Sequence, residues 1–318
     1  MSIMICQDNS VQVLADKSAT GRTRPWVQHK VSSEYIAIAY EEVDPKKAER
    51  MKNCAEYLAY TKSAGGEYML HDARFCRVRL CPVCQWRRAL KTYAQMSKVL
   101  KVAKSEGYEF LMLTLTMRNC VGSELSESLD RLLLAFNKLS KYKEVKQAVK
   151  GWYRGCEVTH NVNPDSEWFD TFHPHLHVIL AVNKSYFKSR YYIKRERWLE
   201  LWQRALNVDY EVTQLDIRKC YGDYKSVAEA CKYTTKSDEI ITDDWDMTVN
   251  TVEVLDKALN NRRFIGLGGV LKEIHKKLNL DDMEDGDLLH IDEDSESKDP
   301  EQEELIFYWN GYSRNYER

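Results

Sequence analysis

His173-Pro-His-Leu-His-Val-Ile-Leu-Ala-Val182 opens with histidine at every second position and closes in an apolar run. Side chains alternate between the faces of a strand, so His173, His175 and His177 share one face while Leu176 and Val178 share the other. Pro174 is tolerated because it sits at the strand entrance. The stretch therefore reads as a buried strand whose first residues are polar on one side. A lone histidine is most simply an ordinary hydrogen-bonded residue. Three of the chain's eight at strand period point instead to imidazoles holding a divalent ion.

Upstream, Gly151–Thr159 reads as a second strand, and Asn161–Asp170, with its Asn-Pro-Asp, as the turn between them. Folding one strand back on the other centres the hairpin near Ser166–Glu167. That register lays Glu157 beside His175 and His177. A carboxylate with two imidazoles suits a hard ion such as Mg²⁺ or Mn²⁺. His173 is expected to support the ligands from behind.

Phe110–Met117 is a third buried strand. Composition rich in Lys, Ala, Glu and Leu marks Pro45–Tyr60 as helical, and Trp86–Val102, Ser126–Lys150, Ser189–Leu206, Lys225–Lys236 and the end of Phe264–Leu280 read as further helices. Tyr210–Leu215 reads as a further strand. The mixture predicts an α+β fold with a central antiparallel sheet flanked by helices.

On the helix expected over Lys225–Lys236, Glu229, Tyr233 and Lys236 stand at i, i+4 and i+7, on one face. A tyrosine hydroxyl is a poor nucleophile at its ordinary pKa near 10. A metal-bound phosphate and a nearby cation, here Lys236, ease its attack, and Glu229 could serve as base for the hydroxyl or for water. The simpler alternative is a Glu–Lys surface pair beside a packed tyrosine.

Cys81-x2-Cys84 has the spacing of a metal knuckle, with Cys76 five residues earlier. Cys54, or alternatively His71, would complete a structural Zn²⁺ site. A redox reading lacks its usual strand-to-helix context. Arg77, Arg79, Arg87 and Arg88 would project from this module toward phosphates. Cys6, Cys120, Cys156, Cys220 and Cys231 read as buried or incidental thiols.

The 318 residues carry a net charge of −2, but unevenly. Asp281–Arg318 holds 14 acidic and 3 basic residues, leaving 35 acidic and 44 basic in the remainder, a net of +9. A basic body attracts polyanions, nucleic acid first. Hydrophobic residues at 43% exclude wholesale disorder, and no apolar run reaches the roughly 18 residues of a membrane span. The first residues lack the basic and apolar regions of a secretory signal, so reduced cysteines in a cytoplasm are expected.

Taken in order, Phe-Leu-Met-Leu-Thr-Leu-Thr, His-Pro-His-Leu-His-Val and Glu-x-x-x-Tyr-x-x-Lys resemble the HUH endonucleases. The likeness is to rolling-circle replication initiators (Rep proteins) of small plasmids from Gram-positive bacteria. Cys76-x4-Cys81-Pro-x-Cys84-Gln-Trp-Arg-Arg88 resembles the segment upstream of that family's first motif. The likeness covers roughly residues 54–240. It implies an HUH fold and a metal-dependent nickase that also transfers strands. His175, His177 and Glu157 would be its metal ligands. Tyr233 would join the 5′ end and leave a free 3′-OH, and Glu229 would assist termination. It also implies plasmid origin DNA, supercoiled or single-stranded at the nick site, and host helicase and replication proteins as partners, with no membrane. The boundaries expected are an N-terminal arm at 1–50, the cysteine module at 51–95, the nickase domain at 96–245, a helical segment at 246–280 and a largely disordered acidic tail at 281–318. The competing readings are a non-catalytic zinc-module DNA-binding regulator and an HUH transposase or relaxase.

Overall fold

The computed structural model describes residues 11–17, 21–62, 68–220, 224–231, 234–291 and 304–318. In chain order its helices are α1 (Trp26–Val43), α2 (Pro45–Lys52), α3 (Pro82–Ser105), α4 (Leu125–Leu139), α5 (Lys143–Ala148), α6 (Arg195–Leu206), α7 (Tyr224–Ala230), α8 (Trp245–Leu259) and α9 (Gly269–Lys277). Its strands are β1 (Tyr57–Lys62), β2 (Tyr68–Ala73), β3 (Tyr108–Thr116), β4 (Val149–Asn161), β5 (Thr171–Asn183), β6 (Leu215–Cys220), β7 (Gly266–Gly268), β8 (Glu304–Asn310) and β9 (Asn315–Glu317). This is a mixed α/β protein with two antiparallel sheets. The chain divides into two compact units, one of 1–88, 243–253 and 287–318 and the other of 89–242 and 254–286. Among the described residues no helix is long and apolar enough to cross a membrane.

The sheet of the second unit runs β6-β3-β5-β4-β7. The hairpin expected from the histidine strand is its centre, with Glu157 opposite His175 and Gly155 opposite His177. Beyond the histidines, the same face of β5 continues through Ile179 and Ala181 into a core with Met96, Val99 and Leu100 of α3, Val227 of α7 and Leu271 of α9. Burial of that apolar set fixes the register, because a slip of one residue would turn every side chain of the strand over.

Two elements of this unit differ from the sequence reading. The strand expected at Tyr210–Leu215 begins only at Leu215. Gln203 of α6 takes the Tyr210 carbonyl at 2.8 Å and the Val212 N–H at 2.6 Å, so those backbone groups are not available to a ladder. The helix expected to reach Lys236 ends at Ala230. Thr234 gives its carbonyl to the N–H of Val158 at 2.7 Å, satisfying the outer edge of β4 instead of a helix.

The first unit carries a sheet ordered β2-β1-β8-β9. Here the acidic tail is corrected in part. Residues 292–303 lie outside the described residues, but 304–318 supply two strands, with Leu305, Phe307 and Tyr316 buried. The short apolar run Leu305-Ile-Phe-Tyr308 is a strand signal that the surrounding acidic composition obscures. The tail's first residues are ordered too. Glu284 is buried and accepts the Phe264 and Ile265 N–H groups at 3.2 Å.

The described residues of the N-terminal arm are likewise built into this unit. Helix α1 buries Trp26, Ile36, Ala37 and Tyr40. Asp16 accepts hydrogen bonds from Trp26 Nε1 at 2.9 Å and from the Tyr60 hydroxyl at 3.1 Å. Pro45 starts α2 under the cap of Asp44, whose carboxylate takes the Lys46 and Lys47 N–H groups. The helix expected to continue to Tyr60 stops at Lys52, and Tyr57–Tyr60 belongs to β1. Ala55, at φ 50, turns the chain between them.

Because Phe307 is fully buried between β1 and β9, Phe307→Ala should destabilise the first unit by about 3–5 kcal/mol in urea unfolding. Unchanged stability would mean that the tail strands contribute nothing to the fold.

Candidate functional site

Among the described residues, two clusters of buried side chains have the composition of metal sites: Glu157, His175 and His177 in the second unit, and Cys54, Cys76, Cys81 and Cys84 in the first.

In the first cluster, Glu157 Oε2 lies 3.2 Å from His175 Nε2 and 3.0 Å from His177 Nε2. Octahedral ligands at right angles stand about 3.0 Å apart when each bond is about 2.1 Å, so both carboxylate–imidazole spacings suit neighbouring ligands of a divalent ion. His175 turns its Nδ1 to the His173 carbonyl at 3.2 Å, which fixes the ring with Nε2 inward. His173 thus supports the cluster through its backbone, while its own ring stacks on His175. Burial and the charge on His175 hold the His173 imidazole below its ordinary pKa. Burial pushes the Glu157 carboxyl up, but hydrogen bonds and charge from His175 and His177 outweigh it and keep the group ionised well below the usual carboxylate range.

Lys236 joins this cluster by a route the sequence did not show. It is not on a helix with Glu229. Its segment follows the outer edge of β4, where Thr234 meets Val158 and the N–H of His160 donates to Glu239 Oε2 at 3.3 Å. Lys236 Nζ sits 2.8 Å from Glu239 Oε1 and 3.4 Å from Glu157 Oε1. Burial works against its ammonium, yet Glu239 and Glu157 outweigh that and raise its pKa. Glu239 and His160 were missed from the sequence. His160 also faces the Glu239 carbonyl through Nδ1 and Asp170 through Nε2, each at 3.0 Å. No spacing rule could announce these contacts, because they depend on where the chain crosses the edge of β4.

Tyr233 lies outside the described residues. The chain on either side of it is tied to β4. A Cβ on Gly155 would stand 2.7 Å from the Ala230 carbonyl, so only glycine allows the end of α7 to approach there. The Tyr153 hydroxyl donates to the same carbonyl at 3.2 Å. Gly155 is opposite His177, so this approach is on the face that carries the cluster. Glu229 is half-buried one residue before Ala230.

The four cysteines are buried and free. Sulfur–sulfur distances are 3.6 Å for Cys54–Cys84 and Cys54–Cys81 and 3.7 Å for Cys76–Cys84. Four sulfurs about 2.3 Å from a tetrahedral ion have edges of about 3.8 Å, so the set fits such an ion. Backbone N–H groups of Cys76, Arg77 and Val78 point at the sulfurs of Cys54, Cys84 and Cys76, an arrangement that favours thiolates. Burial disfavours the Cys81 thiolate, but hydrogen bonds from the other three cysteines and Ser33 outweigh this and hold its pKa well below the ordinary thiol value. His71 is elsewhere, with Nδ1 toward the Ala59 carbonyl and Nε2 beside Glu304. Arg77 is exposed, and Arg79 and Arg88 are half-buried. Arg87 is corrected from a DNA contact to a core residue. It is 3% exposed, donates to the carbonyls of Leu288 and Leu289 at 2.9 and 2.8 Å, and packs on the Trp26 and Trp86 rings.

Fold and site define a mixed α/β protein with a His-His-Glu cluster on one antiparallel sheet and a four-cysteine cluster beside another. The chain belongs to the replication protein family (Rep_1), whose model matches residues 67–317. It is similar to a "Protein rep" of Bacillus amyloliquefaciens, 37% identical over 98% of this chain and 99% of that one. A "Protein rep" from a Bacillus species is 40% identical over 77% of this chain and 85% of its own. A third, of Lactiplantibacillus plantarum, is 36% identical over 96% and 98%. No solved structure matches. The likeness to plasmid replication initiators of Gram-positive bacteria, read from the motifs, is thus borne out.

Glu157→Gln should weaken Mn²⁺ binding by about 100-fold or more, since even groups behind metal ligands contribute about 10–100-fold. Calorimetric titration reads this directly, and unchanged affinity would place the ion elsewhere. Cys81→Ser should lower bound zinc from about one equivalent per chain and loosen the first unit, because a structural ion supplies folding energy. Elemental mass spectrometry of protein purified without chelator measures the loss. Wild-type protein with no zinc would defeat the assignment.

Proposed function

We propose that the protein is an HUH-type initiator of rolling-circle plasmid replication, nicking one strand of origin DNA. The observation that carries this reading is Glu157 Oε2 facing both histidine Nε2 atoms within 3.2 Å, on the same strand whose outer edge holds Thr234, the residue after Tyr233. Membership in a replication protein family supplies the substrate class.

His175, His177 and Glu157 would hold Mg²⁺ or Mn²⁺. When bound, that ion draws electron density from the scissile phosphate. The Tyr233 hydroxyl oxygen attacks phosphorus and the bond to the 3′ oxygen breaks. The hydroxyl proton passes to a base and the leaving oxygen is protonated to a 3′-OH. The phosphodiester bond energy is kept in the new tyrosyl ester at the 5′ end. Lys236, poised between Glu157 and Glu239, stabilises negative charge developing at the phosphate. Glu229 activates water for the last cut, which ends the cycle because hydrolysis leaves no ester to reverse. Cys54, Cys76, Cys81 and Cys84 hold structural Zn²⁺. Arg77, Arg79 and Arg88 supply phosphate contacts, and host helicase and replication proteins extend the free 3′-OH.

Incubating supercoiled origin plasmid with Mn²⁺ tests the reading. Wild-type protein should give nicked circles and a covalent adduct. Tyr233→Phe should bind DNA normally and give neither. Glu229→Ala should nick nearly normally but release concatemeric single strands. Adduct formation by the Phe variant at wild-type levels would overturn the nucleophile, and origin binding with no cutting by wild-type protein would leave a regulator.

A further inference from the structure

The loop between β4 and β5 keeps two large rings in solvent. Trp168 is 50% exposed and Phe169 43%. Exposed aromatic side chains often sit on slack chain, but this loop is closely tied. Asn161 Nδ2 donates to Ser166 Oγ at 2.8 Å, and that oxygen accepts the Trp168 N–H at 3.2 Å. The Phe169 N–H bonds the Ser166 carbonyl at 3.0 Å, and the Asp170 N–H the Asn161 carbonyl at 2.9 Å. The Thr171 hydroxyl donates to the Trp168 carbonyl at 2.5 Å. Asp170, at φ 54, is held in its left-handed turn with a carboxylate oxygen 3.0 Å from His160 Nε2. The rings are thus presented by a fixed support.

The ladder also fixes where that support stands. Asn161 pairs with Thr171, and Glu157 with His175, four residues further in, or about 14 Å at roughly 3.4 Å per residue. A few nucleotides of extended single strand span that distance. The loop also carries Asp165 and Glu167, which repel phosphates. A nucleic acid meeting this loop does so through its bases. Bases in a duplex are covered on both faces by their neighbours, whereas an unpaired base has a free face to stack.

We propose that Trp168 and Phe169 form a stacking platform for unpaired bases of the DNA strand whose phosphate is cut at the Glu157–His175–His177 cluster. This rests on the nicking reading above. The platform recognises melted DNA rather than a base sequence, because every base offers a ring face. It ties cleavage to origins that supercoiling has opened.

The test uses full-length protein and fluorescence anisotropy with labelled oligo(dT), single-stranded origin DNA and the same origin as duplex. Trp168→Ala/Phe169→Ala should weaken single-strand binding by at least about 10-fold, since each stacked base is worth about 5- to 150-fold. Duplex binding and thermal stability should not change. Trp168→Phe should retain most of the single-strand affinity. Quenching of tryptophan emission by oligo(dT) should shrink in Trp168→Phe. Single-strand affinity equal to wild type in the double variant overturns the platform, and so does an equal loss for duplex and single strand. If the double variant keeps its strand affinity but fails to recruit a helicase, the rings serve a protein partner and the platform is likewise overturned. Wild-type protein that never cuts origin DNA defeats the nicking reading, while anisotropy, which needs no cleavage, still scores the stacking.

Discussion

The pairing of Glu157 with His175 is the constraint on which the rest of the second unit turns. A buried carboxylate is costly unless its charge is met, and here two imidazoles and the Lys236 ammonium meet it. A one-residue slip of β4 against β5 would send that carboxylate to the opposite face and leave His175 opposite Cys156 or Val158. The apolar contacts of Ile179 and Ala181 with α3 and α9 resist such a slip. Core packing at one end of the strand therefore sets the chemistry at the other.

The outer edge of β4 does comparable work. Its N–H groups at Cys156, Val158 and His160 are taken by the carbonyls of Phe264 and Thr234 and by the Glu239 carboxylate. An open edge so close to a charged cluster would be a site of unwanted pairing. Covering it with the 234–239 segment removes that hazard and brings Lys236 into place. The α-helical alternative for this segment would satisfy the same chain locally but leave the edge bare.

These two features mark how far the sequence can be read. The hairpin was legible because strand periodicity and turn chemistry are local, and mirror symmetry about Ser166–Glu167 is enough to place Glu157 opposite His175. The end of α7 was not, because its helical spacing is sound and only the demand of a distant strand edge overrides it. Arg87 looked like its basic neighbours, and its burial depends on carbonyls some 200 residues away. In the tail, Leu305–Tyr308 had a strand pattern, but the acidic composition around it dominated the reading. The cysteine cluster was legible in its four members. Its N–H···S bonds depend on the left-handed turn at Arg77, which residue type does not favour.

Strand β8 pairs with β1 across about 250 residues of chain, Tyr57 lying opposite Tyr308. During synthesis at about 5–20 residues per second, everything from residue 89 to 286 emerges before β8 exists. The cysteine cluster's own unit thus closes after the second unit's residues have emerged, although its four cysteines are made before them. A chain cut short by premature termination or a nonsense codon would contain the His-His-Glu hairpin without a finished sheet around the cysteines. The first unit is in this way closed by its most distant strands, and only a chain that extends through β9 assembles it.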